Sequence, residues 1–250
     1  MKKFSHVDNF TDYMNIIFEH IKDSSTVSGV SLKILDLPAG NGLLADKLSK
    51  LGHSVVCADI NDERPDYVRA NMEDLLPFED NTFDITICME GIEHVINQNL
   101  LLSELVRITK PNGKICISTP NISNIWSRLT FLFTGYFYQF NPSGCKIPLP
   151  GECIDKGHIS PISIYNLGYS MGFHGAGLSL ATGDRCKKKL ISLFVLIFIF
   201  PFAYINAKKI HKNLPQNLFE RKSSKLTYFN FKILTSRSLV TIFSKLTRNF

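Results

Sequence analysis

Residues 34–42 read Ile-Leu-Asp-Leu-Pro-Ala-Gly-Asn-Gly, and an amphipathic stretch from Leu43 to Leu51 follows at once. A short apolar strand that breaks into Gly-x-Gly and feeds a helix leaves a chain few options. Glycine lets the backbone approach a ligand closely, and the helix start offers N–H groups with no partner inside the helix. Seventeen residues beyond Gly42, a second apolar run, Ser54 to Ala58, ends in Asp59. A carboxylate at the end of that strand can grip both hydroxyls of a ribose. The pairing predicts a doubly wound, Rossmann-like α/β domain with a nucleotide-type ligand.

The rest of the chain continues the alternation. Apolar patterning predicts further strands at 66–70, 83–89 and 113–119 beside those at 33–37 and 54–59, with helices between them. Phe10, Tyr13, Met14, Ile17 and Ile21 recur at helical spacing, which gives a lid or packing helix over 9–21. A helix over 100–109 precedes the fifth strand, with Pro111-Asn112-Gly113 as the turn. Beyond it, 162–171 reads as a helix and 173–181 as a sixth strand. Alternating strands and helices argue for a mostly parallel sheet, with ligands outside the carboxyl ends of its strands.

The spacing Gly40-x-Gly42-x-x-Ala45 would also suit a dinucleotide. Asp36 weighs against it, because a carboxylate inside the turn repels a pyrophosphate and welcomes the cationic group of an amino acid. Downstream come Asn71-Met72-Glu73-Asp74-Leu75-Leu76-Pro77-Phe78 and the strand entry Asn81-Thr82-Phe83-Asp84. Together these motifs resemble the class I S-adenosylmethionine-dependent methyltransferases over about residues 32–173. The resemblance implies S-adenosylmethionine as cofactor. Asp36, Ala39, Gly40 and Gly42 would line its methionine end and Asp59 its ribose. Asn71 and Met72 would flank the adenine, and Met89 with Glu90 would close the pocket over the sulfonium. It also implies a seventh strand at 237–243, antiparallel between the fifth and sixth. One departure is plain: Pro38 stands where the family usually has its first glycine, and proline brings no N–H.

Charge divides the chain. Residues 1–184 carry 14 Lys and Arg against 21 Asp and Glu, whereas 185–250 carry 14 against 1. Between Lys187-Lys188-Lys189 and Lys208-Lys209 lies an apolar run, 190–204, short of the ~20 residues a spanning helix needs and interrupted by Pro201. A chain that must return its last strand to the same sheet cannot cross a membrane once. The expected arrangement is a methyltransferase core at 1–184 with an aromatic cap insertion at about 120–160, an apolar and basic membrane-interacting insertion at 185–235, and the last strand and C-terminus at 236–250. The insertion would lie monotopically in the inner leaflet, helped by basic residues against anionic lipid. Localisation is thus expected to be cytoplasmic, peripheral at the inner membrane face, with no signal peptide at the start. Nucleic acid is not an expected partner, since the basic segment is dense in apolar and aromatic residues. Six cysteines, 57, 88, 116, 145, 153 and 186, include no C-x-x-C pair and suit a reducing compartment.

Methyl transfer from a sulfonium is an in-line displacement that needs a positioned nucleophile and, for a hydroxyl, a base. His94, in Glu90-Gly91-Ile92-Glu93-His94, and His158 after the cap are the two candidate bases. An alternative arises from the same residues. Glu90, Glu93, His94 and His158 reproduce the Glu-x-x-Glu-His…His pattern of metal-dependent RNA ribose 2′-O-methyltransferases, in which the four would hold Mg²⁺ or Mn²⁺. The expected acceptor is a hydroxyl on a membrane-associated glycan, a lipid-linked molecule or a quinone-type ring. A non-catalytic cofactor-binding scaffold at the membrane is the remaining reading.

Overall fold

The computed structural model describes residues 9–61, 64–140, 157–185 and 230–247, together with positions 194, 195, 197, 201, 204 and 205. Seven strands form one sheet: β1 (Lys33–Asp36), β2 (Ser54–Asp59), β3 (Val68–Arg69), β4 (Phe83–Met89), β5 (Thr109–Pro120), β6 (Ala176–Gly183) and β7 (Ser238–Lys245). Their order is β3-β2-β1-β4-β5-β7-β6, with β1 to β5 parallel and β7 antiparallel to both of its neighbours. The chain reverses its direction of travel across the sheet between β1 and β4, which makes the carboxyl ends of those two strands the place where a ligand crevice opens.

The helices that cover the sheet include α1 (Asp12–Ser28), α2 (Leu43–Lys50), α3 (Gln98–Ile108), α4 (Ile125–Thr134), α5 (Ile164–Phe173) and α6 (Phe231–Thr235). The two-residue pleat sorts the strands' side chains. Ile34, Ile85, Ile87, Met89, Val240 and Ile242 pack with Met14, Ile17 and Ile21 of α1 and Leu44 and Leu48 of α2. Leu35, Leu37, Cys88, Ile115, Ile117 and Phe243 face the other way, onto α3 and α5. Gly29 ends α1 at φ 65°, its N–H bonded to the Ser25 carbonyl at 2.8 Å, the left-handed stop that glycine takes without strain.

The structure departs from the expected elements in three places. No helix joins β2 to β3 among the described residues. Eight positions, 60–67, are too few for a helix with turns at both ends, so the parallel pairing shrinks to Ala58 with Val68 and Asp59 with Arg69. Turns, not a helix, likewise join β3 to β4. The Pro111–Gly113 turn is absorbed into β5: the register slips between Phe83, opposite Thr109, and Ile85, opposite Lys114, and Asn112 takes φ 64°. Finally, the segment expected to interact with a membrane ends inside the core, because Ile233, Leu234 and Thr235 of α6 are buried. Gly183 makes that approach possible: a Cβ there would stand 2.7 Å from the Lys232 carbonyl oxygen and inside Ser236.

The apolar run 190–204 lies mostly outside the described residues, as do Cys145, Cys153 and Cys186. Among the described residues no helix is long and apolar enough to cross a membrane. Cys57, Cys88 and Cys116 are buried free thiols.

Candidate active site

The glycine turn is tied down from three sides. Leu37 N–H donates to Ile87 O at 3.0 Å and Ala39 N–H to Ala58 O at 3.0 Å, so the turn hangs between β4 and β2. Gly40 and Gly42 take φ 57° and 79°, which their lack of a Cβ permits. The Leu37–Pro38 peptide is cis. Asp59 is buried and braces the turn directly: Oδ2 accepts from Gly40 N–H at 2.9 Å and Oδ1 from Asn61 N–H at 3.1 Å. The residue expected on a ribose therefore also shapes the loop above it, with lone pairs left on both oxygens. Arg64 lies over Gly42, held by Asp46 at 2.9 Å and Asp66 at 3.3 Å, and Tyr67 donates its hydroxyl to Gly40 O at 3.1 Å.

Asp36 is fully buried, and among the described residues neither carboxylate oxygen has a hydrogen-bond partner. Burial, reinforced by the charge of Asp59, pushes its pKa up to about 7. An orphaned carboxylate beside a glycine turn suits an ammonium group. Met72 meets Pro38 at Gly91, where a Cβ would stand 2.6 Å from Pro38 Cδ and 3.2 Å from Met72 Sδ. Asn71 spends its side chain locally: Oδ1 accepts from Glu73 N–H at 3.1 Å and Nδ2 donates to Asp74 at 2.8 Å. Its carbonyl is turned to its own backbone, not held out for an adenine. Ala39 is buried in a small apolar cluster with Ala45 and Cys57. Met89, expected over the sulfonium, has its side chain in the packed layer of α1 and α2 instead, because the pleat that buries Ile85 and Ile87 carries it along.

The segment after β4 gathers the acid and imidazole groups. Glu90 takes φ 45°, its N–H donates to Ser118 O at 2.9 Å, and Ser118 Oγ donates to Glu90 Oε1 at 3.1 Å. Burial raises the Glu90 carboxyl to about 7. Glu93 is fully buried in a short 3₁₀ turn, Ile92–His94; Oε2 accepts from Thr119 Oγ1 at 3.1 Å and Oε1 has no partner among the described residues. Burial, with Glu90 nearby, holds its carboxyl well above the usual range. His94 and His158 meet edge to face with ring centroids 4.9 Å apart. The segment carrying His158 is stapled to that turn, since Ile159 and Ser160 N–H both donate to Glu93 O at 3.0 Å and Gln98 Nε2 bridges Ile92 O and Ser160 O. His158 Nδ1 lies 2.9 Å from Gln139 O, and a carbonyl can only accept, so Nδ1 carries a proton and Nε2 is the nitrogen left to serve as a base. One ligand atom each from Glu93, His94 and His158 falls within 4.8 Å of the others. Glu90, the fourth member of the expected metal set, is not in that cluster.

Several participants were not expected from sequence. Tyr13 on α1 is driven upward in pKa by burial and by the charges of Glu90 and Glu93, so the first turn of α1 reaches the site. Ser118, Thr119, Gln139 and Arg237 line it from β5, the cap and the start of β7. The sequence signal for Ser118, Thr119 and Arg237 was position at the ends of predicted strands, and for Gln139 only its place in the aromatic cap.

Residues 35–117 match the family model described as a methyltransferase domain. Ubiquinone biosynthesis O-methyltransferase of Xanthomonas oryzae pv. oryzae (strain PXO99A) is 29% identical over 126 residues, 45% of this chain and 53% of that protein. The mitochondrial protein of the same name from Schizosaccharomyces pombe is 29% identical over 159 residues, 56% of this chain and 55% of the relative. The chain thus spans about half the length of these curated relatives. Among solved structures, a SAM-dependent methyltransferase from Archaeoglobus fulgidus superposes with a TM-score of 0.54 at 14% identity, covering 93% of this chain and 94% of that one. A putative sarcosine dimethylglycine methyltransferase from Galdieria sulphuraria gives 0.51 at 16%, covering 93% and 86%. This strand order, this glycine turn and that domain match make the chain similar to the class I S-adenosylmethionine-dependent methyltransferases, whose cofactor is S-adenosylmethionine.

Proposed function

We propose that the chain is an O-methyltransferase that moves the methyl group of S-adenosylmethionine to a hydroxyl of a small, membrane-resident acceptor. The observation that carries this reading is the His94–His158 pair over the end of β4, with His158 Nδ1 holding a proton towards the Gln139 carbonyl. The free Nε2 takes the hydroxyl proton as the oxygen attacks the methyl carbon, and S-adenosylhomocysteine leaves without further proton transfer. Asp36 holds the cofactor's ammonium, Asp59 its ribose, and Met72 one side of its base. The names of the matched relatives favour a quinone-type ring. The basic segment and the exposed Phe131, Leu132, Phe133 and Tyr136 of the cap suit an acceptor that resides in the inner membrane leaflet, be it ring, lipid-linked molecule or glycan.

The test is methyl transfer from labelled S-adenosylmethionine into lipid extracts. His158→Ala should abolish transfer and leave S-adenosylhomocysteine binding intact, whereas transfer that survives in both the His94 and His158 variants would remove the base from the reading.

A second reading draws on the orphaned Glu93 Oε1 beside His94 and His158. A divalent cation held by those three groups would polarise the acceptor hydroxyl in place of a base. Activity that disappears on chelation and returns with Mg²⁺ or Mn²⁺ separates the two.

A further inference from the structure

Arg237 precedes β7, which runs antiparallel to β5 with Ser238 opposite Pro120. Its guanidinium therefore stands at the carboxyl end of β5, on the edge that carries Ser118, Glu90 and Glu93. It is close enough to favour the ionised forms of both Glu90 and Tyr13. A cation in such company would ordinarily collapse onto the nearest carboxylate, and Arg237 does not. Its Nε donates to Gln139 Oε1 at 2.7 Å, and Gln139 Nε2 donates back to the Arg237 carbonyl at 3.3 Å. Among the described residues its two terminal amino groups have no hydrogen-bond partner and the side chain stays exposed.

Gln139 is held for this task in an uncommon conformation. It takes φ 75°, a left-handed backbone that costs a residue with a Cβ. In that conformation its carbonyl accepts from His158 Nδ1 while its amide clamps Arg237. One strained residue thus holds an imidazole by its carbonyl and a guanidinium by its side-chain amide. The imidazole serves the reacting hydroxyl. The guanidinium keeps its terminal fork open, the geometry that takes a two-oxygen anion.

We propose that Arg237, clamped by Gln139, reads an anionic group, a carboxylate or a phosphate, on the acceptor molecule. The inference rests on the methyltransferase reading and narrows its substrate class: the acceptor carries a hydroxyl near His158 and an anionic oxygen pair near Arg237. Gln139 is a positioning residue, acting through Arg237 and His158.

Calorimetric titration of the full chain tests it. S-adenosylhomocysteine is titrated first, and the loaded protein then receives catechol, 3,4-dihydroxybenzoate or phenyl phosphate. The native protein is expected to bind one of the two anions at least about tenfold tighter than neutral catechol, and the tighter anion identifies the group. Arg237→Gln should erase that preference, bringing the anions down to the affinity of catechol. Arg237→Lys, which keeps charge without the fork, should retain part of it. Gln139→Ala frees the guanidinium without removing it and should weaken anion binding several-fold, which keeps the test open if Arg237→Gln fails to fold. Equal affinity for catechol and both anions, no detectable binding of either anion, or a preference that survives in Arg237→Gln overturns the proposal. A native protein that refuses S-adenosylhomocysteine fails at the earlier step and brings down the methyltransferase reading itself.

Discussion

Asp36 sets a large electrostatic demand in the site, since among the described residues both of its oxygens are buried without a partner and its neighbour Asp59 is a second buried carboxylate. The folded protein holds the Asp36 proton up to about 7, whereas an unfolded chain releases it near the ordinary value of about 4. A raised acid binds more protons folded than unfolded in that window. The empty protein therefore has this contribution in full below about pH 4 and loses it as the pH rises towards 7. The melting temperature of the empty protein should fall between about pH 4 and pH 7, and Asp36→Asn should flatten the decline. Cofactor binding runs the other way, because an ammonium prefers the ionised carboxylate: S-adenosylhomocysteine should bind more tightly as the pH rises. Asp36→Asn should lose that slope and at least about tenfold in affinity. Identical pH profiles for native protein and variant would show that Asp36 does not carry this linkage.

Elements explain why some of the site was legible and some was not. The glycine turn, Asp36 and Asp59 sit within a few residues of strand ends, so an apolar run closing on a glycine or a carboxylate was enough to mark them. The stretch 71–78 was legible as a motif, but what fixes it was not: Glu104 on α3 accepts from Leu76 N–H at 2.8 Å, and Arg107 donates to Leu76 O and Phe78 O. Glu104 Oε2 and Arg107 Nη2 close the bracket at 2.6 Å. Such contacts join positions about thirty apart, which no local pattern encodes. Removing Glu104 would strand the Leu76 N–H and leave the guanidinium to Asp80 and two backbone carbonyls. Glu104→Ala should cost about 2–3 kcal/mol and weaken cofactor binding as the adenine-side loop loosens, read from urea unfolding and from titration. Arg107 holds the Glu104 carboxyl below its usual range, so this contribution is present near neutrality and lost on acidification through the lowered value. The helix expected between β2 and β3 failed for a countable reason, the eight residues available, while Tyr13, Gln139 and Arg237 escaped notice because the sheet brings them together from its two halves.

At the scale of the whole molecule, the last strand decides how the chain can be cut. β7 lies between β5 and β6 and is buried along most of its length, so the sheet cannot close without residues that follow the apolar and basic segment. Both ends of that segment are anchored in one place: Asp184 N–H donates to Ser238 O at 3.1 Å, Ser238 N–H donates to Asp184 at 2.9 Å, and α6 packs where Gly183 leaves room. A short linker can therefore replace the segment without stretching the fold. Exchanging residues 190–226 for about ten glycine and serine residues should leave S-adenosylhomocysteine affinity within about twofold, because flexible loops of different length differ little in closure entropy. The same exchange removes the apolar run and six of the fourteen Lys and Arg of 185–250, and should weaken binding to phosphatidylserine vesicles in a sedimentation assay. If cofactor binding and vesicle binding are lost together, the segment belongs to the folded core. Vesicle binding that survives intact would leave the exposed aromatic end of α4 as the membrane contact.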